Sequence, residues 1–180
     1  MSKNARRGTG KRQDRVPDYT VSQNFLTSRR LIDRLIRLAR LGPGELVLDI
    51  GAGKGHLTRA LAEAGCRVLA SEIDPRLCVY LQKALRGYPH VRLQRGDFLR
   101  MPLLAEEYRV FANLPFCHTT AIVRKLTESV SAPKDAWLVM EKGAAMRFCG
   151  KPVENRSSLL LKPYYHGEIV YHFRREDFHP

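Results

Sequence analysis

The sequence predicts an α/β chain built on a mostly parallel, doubly wound sheet, and three observations carry that expectation. Short apolar runs at 46–50, 67–71, 91–95, 108–112 and 136–140 alternate with segments of helical spacing, the pattern of strands that return through helices to one sheet. The first run breaks into Gly51, Gly53 and Gly55, a strand-to-helix turn with no Cβ between backbone and ligand. Glu72, Asp97 and Asn113 then follow the next three runs, at the carboxyl ends where open α/β sheets bind their ligands.

With 180 residues the chain supports one domain with a sizeable core. Its 31 Lys and Arg against 18 Asp and Glu give a net charge of +13 and a pI near 10.0, which favours a polyanionic partner. No apolar run is long enough to cross a bilayer, and no signal segment stands at the start. Cys66, Cys78, Cys117 and Cys149 form no C-x-x-C pair, and the six histidines lack ligand spacing. The expectation is a reduced, cytoplasmic, monomeric protein with no membrane partner and no metal.

Taken in order, residues 1–21 read as a basic, disordered arm and 22–180 as the folded domain. The arm carries Lys3, Arg6, Arg7, Lys11, Arg12 and Arg15 against Asp14, a set suited either to phosphate contact or to solubility alone. A helix follows, capped by Thr27 or Ser28. Leu31, Ile32, Leu35, Ile36, Leu38 and Ala39 fall on one arc of it, and Arg29, Arg30, Arg34, Arg37 and Arg40 on the other. The cationic arc is either a solvated face or a nucleic-acid contact. Gly42-Pro43-Gly44 is a turn, and Leu46 to Ile50 form the strand that leads into the glycines.

That turn reads G-x-G-x-G after Asp49, with His56 where a dinucleotide fingerprint needs its third glycine, and no phosphate-loop motif is present. Glu72 ends the second strand, where its carboxylate can accept from both hydroxyls of a ribose. Pro75 opens the next helix. Asp97, after the third strand and beside Phe98, is either an acceptor for the exocyclic amine of adenine or a turn cap. Helical spacing returns at 119–128, a loop is expected at 150–156, and a sixth strand at 168–173.

The fourth strand runs into Asn113-Leu114-Pro115-Phe116. An aromatic amine is a poor nucleophile because its lone pair is conjugated into the ring. Two fixed acceptors, the Asn113 side-chain oxygen and the Leu114 carbonyl, can draw such a nitrogen out of plane and stabilise charge as it develops. Pro115 stiffens the turn and adds no competing donor. Phe116 offers a flat face to an unstacked base, an interaction of roughly 1–3 kcal/mol.

Six motifs in this order resemble the Erm family of adenine-N6 methyltransferases and, more broadly, the rRNA adenine dimethylases. They are Gln23-Asn24-Phe25-Leu26, the Asp49 to Gly55 turn, Glu72-Ile73-Asp74, Gly96-Asp97-Phe98, Asn113 to Phe116 and the terminal Asp177-Phe178-His179-Pro180. The resemblance implies a Rossmann-like class I methyltransferase fold. It implies an S-adenosylmethionine pocket lined by Asn24, Leu26, Gly51, Gly53, Glu72, Asp97 and Asn113, with Ile73 and Phe98 beside the adenine. Phe178 would face Phe116 across the target base, and Arg6, Arg7, Lys11, Arg12, Arg30, Arg34 and Arg37 would hold RNA. The implied substrate is naked 23S rRNA, whose methylation confers macrolide, lincosamide and streptogramin B resistance. Members of that family usually continue into a last strand and a small helical domain, so the chain is expected to stop short of both.

Overall fold

The structure, a computed structural model, describes residues 25–179; the arm with Arg6, Arg7, Lys11 and Arg12, and the site residue Asn24, lie outside the described residues. Five strands form one parallel sheet: β2 (Leu46–Ile50), β3 (Arg67–Glu72), β4 (Val91–Arg95), β5 (Arg109–Asn113) and β6 (Ala136–Val139). Their order is β4-β3-β2-β5-β6, so the chain reverses its direction of progress between β2 and β5. A separate two-stranded ribbon pairs β1 (Phe25–Leu26) antiparallel with β7 (Phe178–His179), setting Leu26 opposite Phe178.

Alternation along the strands sends side chains to two covered faces, as a parallel sheet requires. Val47, Val68 and Phe111 pack under α1 (Arg29–Leu38) and α2 (His56–Glu63). Leu48, Ile50, Val110 and Ala112 pack under α4 (Thr119–Thr127) through Ile122, Val123 and Leu126. The runs expected to be strands are strands, with ends within one residue.

The sixth expected strand, 168–173, has no regular structure. Tyr171 and Phe173 instead lay their rings against the cluster under α1, their centroids 4.9 Å apart, and Phe173 meets Phe178 at 5.4 Å. The period-two pattern there reports one covered side and not a hydrogen-bond ladder. The loop expected at 150–156 gives way at Arg156 to a short helix, Arg156–Leu161, which Asn155 and Ser158 open as a capping box.

Ser28 caps α1, its Oγ accepting from the Leu31 amide at 3.4 Å. Leu31, Ile32, Leu35 and Ile36 are buried, but Leu38 is 49 % exposed, because at about 100° per residue it falls beyond the Leu31 edge of the buried arc. The five arginines of the opposite arc are exposed. Arg29 is paired with Asp33 and Glu63, and the Arg34 guanidinium lies 5.7 Å from the Tyr171 ring centroid.

Two polar groups, one half-buried and one buried, fix the layers. Arg109, at the start of β5, has a side chain only 12 % exposed; it binds Glu45 at 3.0 Å, Asp135 at 2.7 Å and the Ala39 carbonyl at 2.7 Å. It thereby joins the end of α1 to the entrances of β2 and β6. Asp49, inside β2, is buried against α2 and accepts the Thr58 hydroxyl at 2.6 Å. Burial raises its carboxyl to about 7, the Thr58 hydrogen bond opposes the rise, and the charge of Glu72 adds to it.

Arg109→Ala is expected to lower the unfolding free energy by about 2 kcal/mol in urea titrations, since it strands two carboxylates and the last carbonyls of α1. For Asp49 the sign follows from its raised value. The favourable term is complete below about pH 4, where the unfolded carboxyl is protonated, and is lost as pH rises toward 7. Asp49→Asn keeps the acceptor for Thr58, so the variant should gain stability relative to the parent across that window, measured as the difference between their melting temperatures at each pH.

Candidate active site

The carboxyl ends of β2, β3 and β5 meet at the point where the strand order reverses, and the site is assembled there. Gly51 and Gly53 have φ of +72° and +59°, which side chains avoid. The amides of Gly51 and Ala52 both donate to the Ser71 carbonyl at 2.9 Å, holding the turn against β3. A Cβ on Gly53 would overlap the Phe25 ring, so ring and turn touch directly. A Cβ on Gly51 would meet the Pro115 ring at 3.8 Å, which shows how near the turn lies to the Asn-Leu-Pro-Phe segment.

Glu72 closes β3 with only 5 % exposure. Its Oε2 accepts from the Gly53 amide at 2.7 Å, and its Oε1 accepts from Ile73 and Asp74 at 2.9 Å each. Three of about four acceptor directions are thus occupied, and one on Oε2 is left for a ribose hydroxyl. Expected to take both hydroxyls, the carboxylate here holds the glycine turn as well. Ile73 is half-buried beside it, and Asp74 caps α3 (Pro75–Ala84) while pairing with Arg76 at 2.9 Å.

Asp97 serves as a cap. Its Oδ1 accepts from the Leu99 amide at 2.9 Å, opening the 3-10 turn Phe98–Arg100, and its Oδ2 stands 3.7 Å from Arg100. Capping leaves Oδ2 able to accept a further donor. Phe98, expected beside an adenine, turns inward and is buried with Leu48 and Ile50. Lys125 of α4 lies over its ring at 4.9 Å and donates to the carbonyls of Phe98, Leu99 and Met101. That clamp spans more than twenty residues of sequence and has no local signal.

Asn113 ends β5 half-buried and lines a cleft with Leu26, Asp49, Gly51, Ala52, Lys54 and His56. The cleft is open to solvent. Leu114 is buried, its amide donating to the Val139 carbonyl at 2.9 Å. Pro115 has φ −64° and begins the turn Phe116–His118; its carbonyl accepts from the His118 amide at 3.1 Å and the Thr119 hydroxyl at 3.2 Å. Phe116 is 41 % exposed and offers a ring face to solvent.

Of the residues expected here, Leu26, Gly51 and Asn113 share one cleft, and Gly53 and Glu72 are joined by a hydrogen bond. Phe178 belongs to the Tyr171 and Phe173 ring group, and among the described residues no ring contact joins it to Phe116. Phe25, Lys54 and His56 are cleft residues that sequence reasoning passed over. His56 was legible only as the residue displacing a third glycine. The site thus brings Glu72, the glycine turn and Asn113 together at neighbouring strand ends, leaving one Glu72 acceptor direction open.

The chain is 45 % identical over 105 residues to an rRNA adenine N-6-methyltransferase of Streptomyces fradiae, covering 57 % of this chain and 33 % of that protein. It is 34 % identical over 163 residues to ribosomal RNA small subunit methyltransferase A of Thermotoga neapolitana, covering 89 % of this chain and 62 % of the relative. The crystal structure of the 23S rRNA methyltransferase ErmE superposes with a TM-score of 0.69 at 34 % identity, over 78 % of this chain and 57 % of that one. The chain therefore spans between a third and just under two thirds of the length of these proteins. Residues 18–180 match the description ribosomal RNA adenine dimethylase, and the chain belongs to that family.

Proposed function

We propose that the chain transfers a methyl group from S-adenosylmethionine to N6 of an adenine in 23S rRNA, conferring resistance to macrolides, lincosamides and streptogramin B. The observation that carries this is the placement of Asn113 on the same cleft as Gly51, next to the turn that Glu72 holds. The residues present fit the cofactor. Glu72 keeps an acceptor for a ribose hydroxyl, Asp97 keeps Oδ2 for an amine, and Gly51 leaves its backbone bare, while Gly53 is covered by the Phe25 ring and donates its amide to Glu72. Asn24, Leu26, Ile73 and Asn113 complete the proposed pocket.

S-adenosylmethionine, when bound, supplies an electrophilic methyl group. The chain's own residues prepare the nucleophile. The Asn113 side-chain oxygen and the Leu114 carbonyl each accept one N6 hydrogen, hold the nitrogen out of the ring plane and stabilise the positive charge that grows on it. Pro115 fixes the backbone between them and Phe116, with φ held at −64° and no N–H to compete. The exposed Phe116 ring stacks on the extruded base. Phe178 is engaged by Phe173, so the stacking role falls to Phe116 in this arrangement. No general base is needed, because the methylated amine is acidic and its proton passes to solvent. Rate then follows alignment.

RNA is held by charge. Arg30, Arg34 and Arg37 stand exposed on one face of α1, and the basic arm with Arg6, Arg7, Lys11 and Arg12 precedes it. We assign the complex to naked 23S rRNA and a monomeric, cytoplasmic enzyme. A second target, adenines of small-subunit rRNA, is favoured by the 34 % identity to the Thermotoga neapolitana protein over 163 residues. A noncatalytic RNA-binding module would share the cationic face but not the need for the cleft.

Incubation with labelled cofactor and protein-free 23S or small-subunit rRNA separates these readings, with label expected on 23S rRNA. Label on small-subunit rRNA alone selects the second target, and RNA binding with no label selects the module. Asn113→Ala is expected to cut transfer by about 10²-fold or more while S-adenosylhomocysteine affinity, measured by calorimetry, stays within a few-fold. Deleting residues 1–15, or replacing Arg30, Arg34 and Arg37 together by Ala, should flatten the slope of RNA affinity against salt by roughly 0.7–0.9 for each phosphate that is no longer neutralised.

A further inference from the structure

We infer that Lys125 is a positioning residue for purine recognition: by tethering the turn Phe98–Arg100 from α4, it holds Asp97 where Oδ2 can accept the 6-amino group of an adenine and so sets the preference for adenine over a 6-oxopurine. This inference rests on the methyltransferase reading above and concerns a residue which that reading leaves without a role. Lys125 is half-buried on α4, more than twenty residues from the turn that it reaches.

An ammonium has three N–H donors and no acceptor. Those of Lys125 go to the carbonyls of Phe98 at 2.8 Å, Leu99 at 2.9 Å and Met101, so its hydrogen-bonding capacity is spent on one four-residue segment. The same charge lies 4.9 Å from the centroid of the Phe98 ring, which is buried with Leu48 and Ile50. Leu99 is gripped from both sides: its carbonyl accepts from Lys125, and its amide donates to Asp97 Oδ1 at 2.9 Å. The Arg100 amide returns to the Asp97 carbonyl at 3.0 Å, so the segment cannot shift without carrying the Asp97 carboxylate with it. Burial lowers the pKa of the Lys125 ammonium and the charge of Asp97 opposes the fall, which places the two groups within electrostatic reach. Asp97 Oδ2 stands 3.7 Å from Arg100, whose side chain is 90 % exposed, a pairing that water screens and an amine donor can displace. The bland alternative is that Lys125 only staples α4 to the turn; a staple has no reason to distinguish ligands differing in one purine substituent.

Calorimetric titration of the full chain with S-adenosylhomocysteine and with S-inosylhomocysteine, which carries a carbonyl in place of the 6-amino group, makes the distinction. The parent should prefer the adenine ligand by about tenfold or more. Lys125→Met keeps the apolar stem and should weaken S-adenosylhomocysteine by about five- to tenfold, while S-inosylhomocysteine changes by less than about twofold and so reports that the variant is folded. Asp97→Asn keeps the Oδ1 cap and replaces Oδ2 by a donor; in that background Lys125→Met should cost less than about twofold for either ligand. Equal weakening of both ligands by Lys125→Met, or an unchanged preference between them, overturns the positioning role and leaves the methyltransferase reading intact. A parent chain that binds neither ligand overturns both.

Discussion

Everything at the mouth of the sheet depends on one buried anion. Glu72 is 5 % exposed, and a carboxylate so placed is tolerable only if its oxygens are met by donors. Its donors are the amides of Gly53, Ile73 and Asp74, so the charge that ends β3 also pulls the turn after β2 into place. The turn can comply because Gly51 and Gly53 take positive φ, and Phe25 can lie on it because Gly53 has no side chain. Phe25 in turn is carried by the ribbon that ties β1 to β7, which connects the far end of the described chain to the cleft.

The second half of the site reaches the same place by topology. Because β5 lies next to β2 in the sheet although two strands intervene in sequence, Asn113 ends up beside Gly51. Leu114 anchors the segment by its burial and by its bond to Val139, so the short turn that follows projects Phe116 outward. The exposed Phe116 ring and the turn held by Glu72 are therefore both positioned by neighbouring strand ends.

Much of this was legible in the sequence. Fully covered strands read as apolar runs, and glycines, acids and the Asn-Leu-Pro-Phe segment mark their carboxyl ends without ambiguity. What stayed hidden depended on partners distant in sequence or on direction within a turn. Phe98 was expected at the ligand and lies in the core because the turn capped by Asp97 aims it inward, where Leu48 and Ile50 receive it. Lys125 tethers that turn from a separate helix, and Arg109 joins three elements from the foot of β5, yet each looks in sequence like an ordinary surface cation. The stretch 168–173 has a strand's alternation, but its rings are held by α1 and by Phe178. Leu38 shows the same limit on a smaller scale, since its apolar character does not reveal that the arc it borders is already full.

The decisive measurement is a crystal structure of the chain with S-adenosylhomocysteine. It should show a ribose hydroxyl on the Glu72 carboxylate, the adenine amine toward Asp97 Oδ2, and the sulfur facing Asn113. A nucleoside seated away from the cleft between β2 and β5, with Glu72 bonded only to the amides of Gly53, Ile73 and Asp74, would contradict the proposed site.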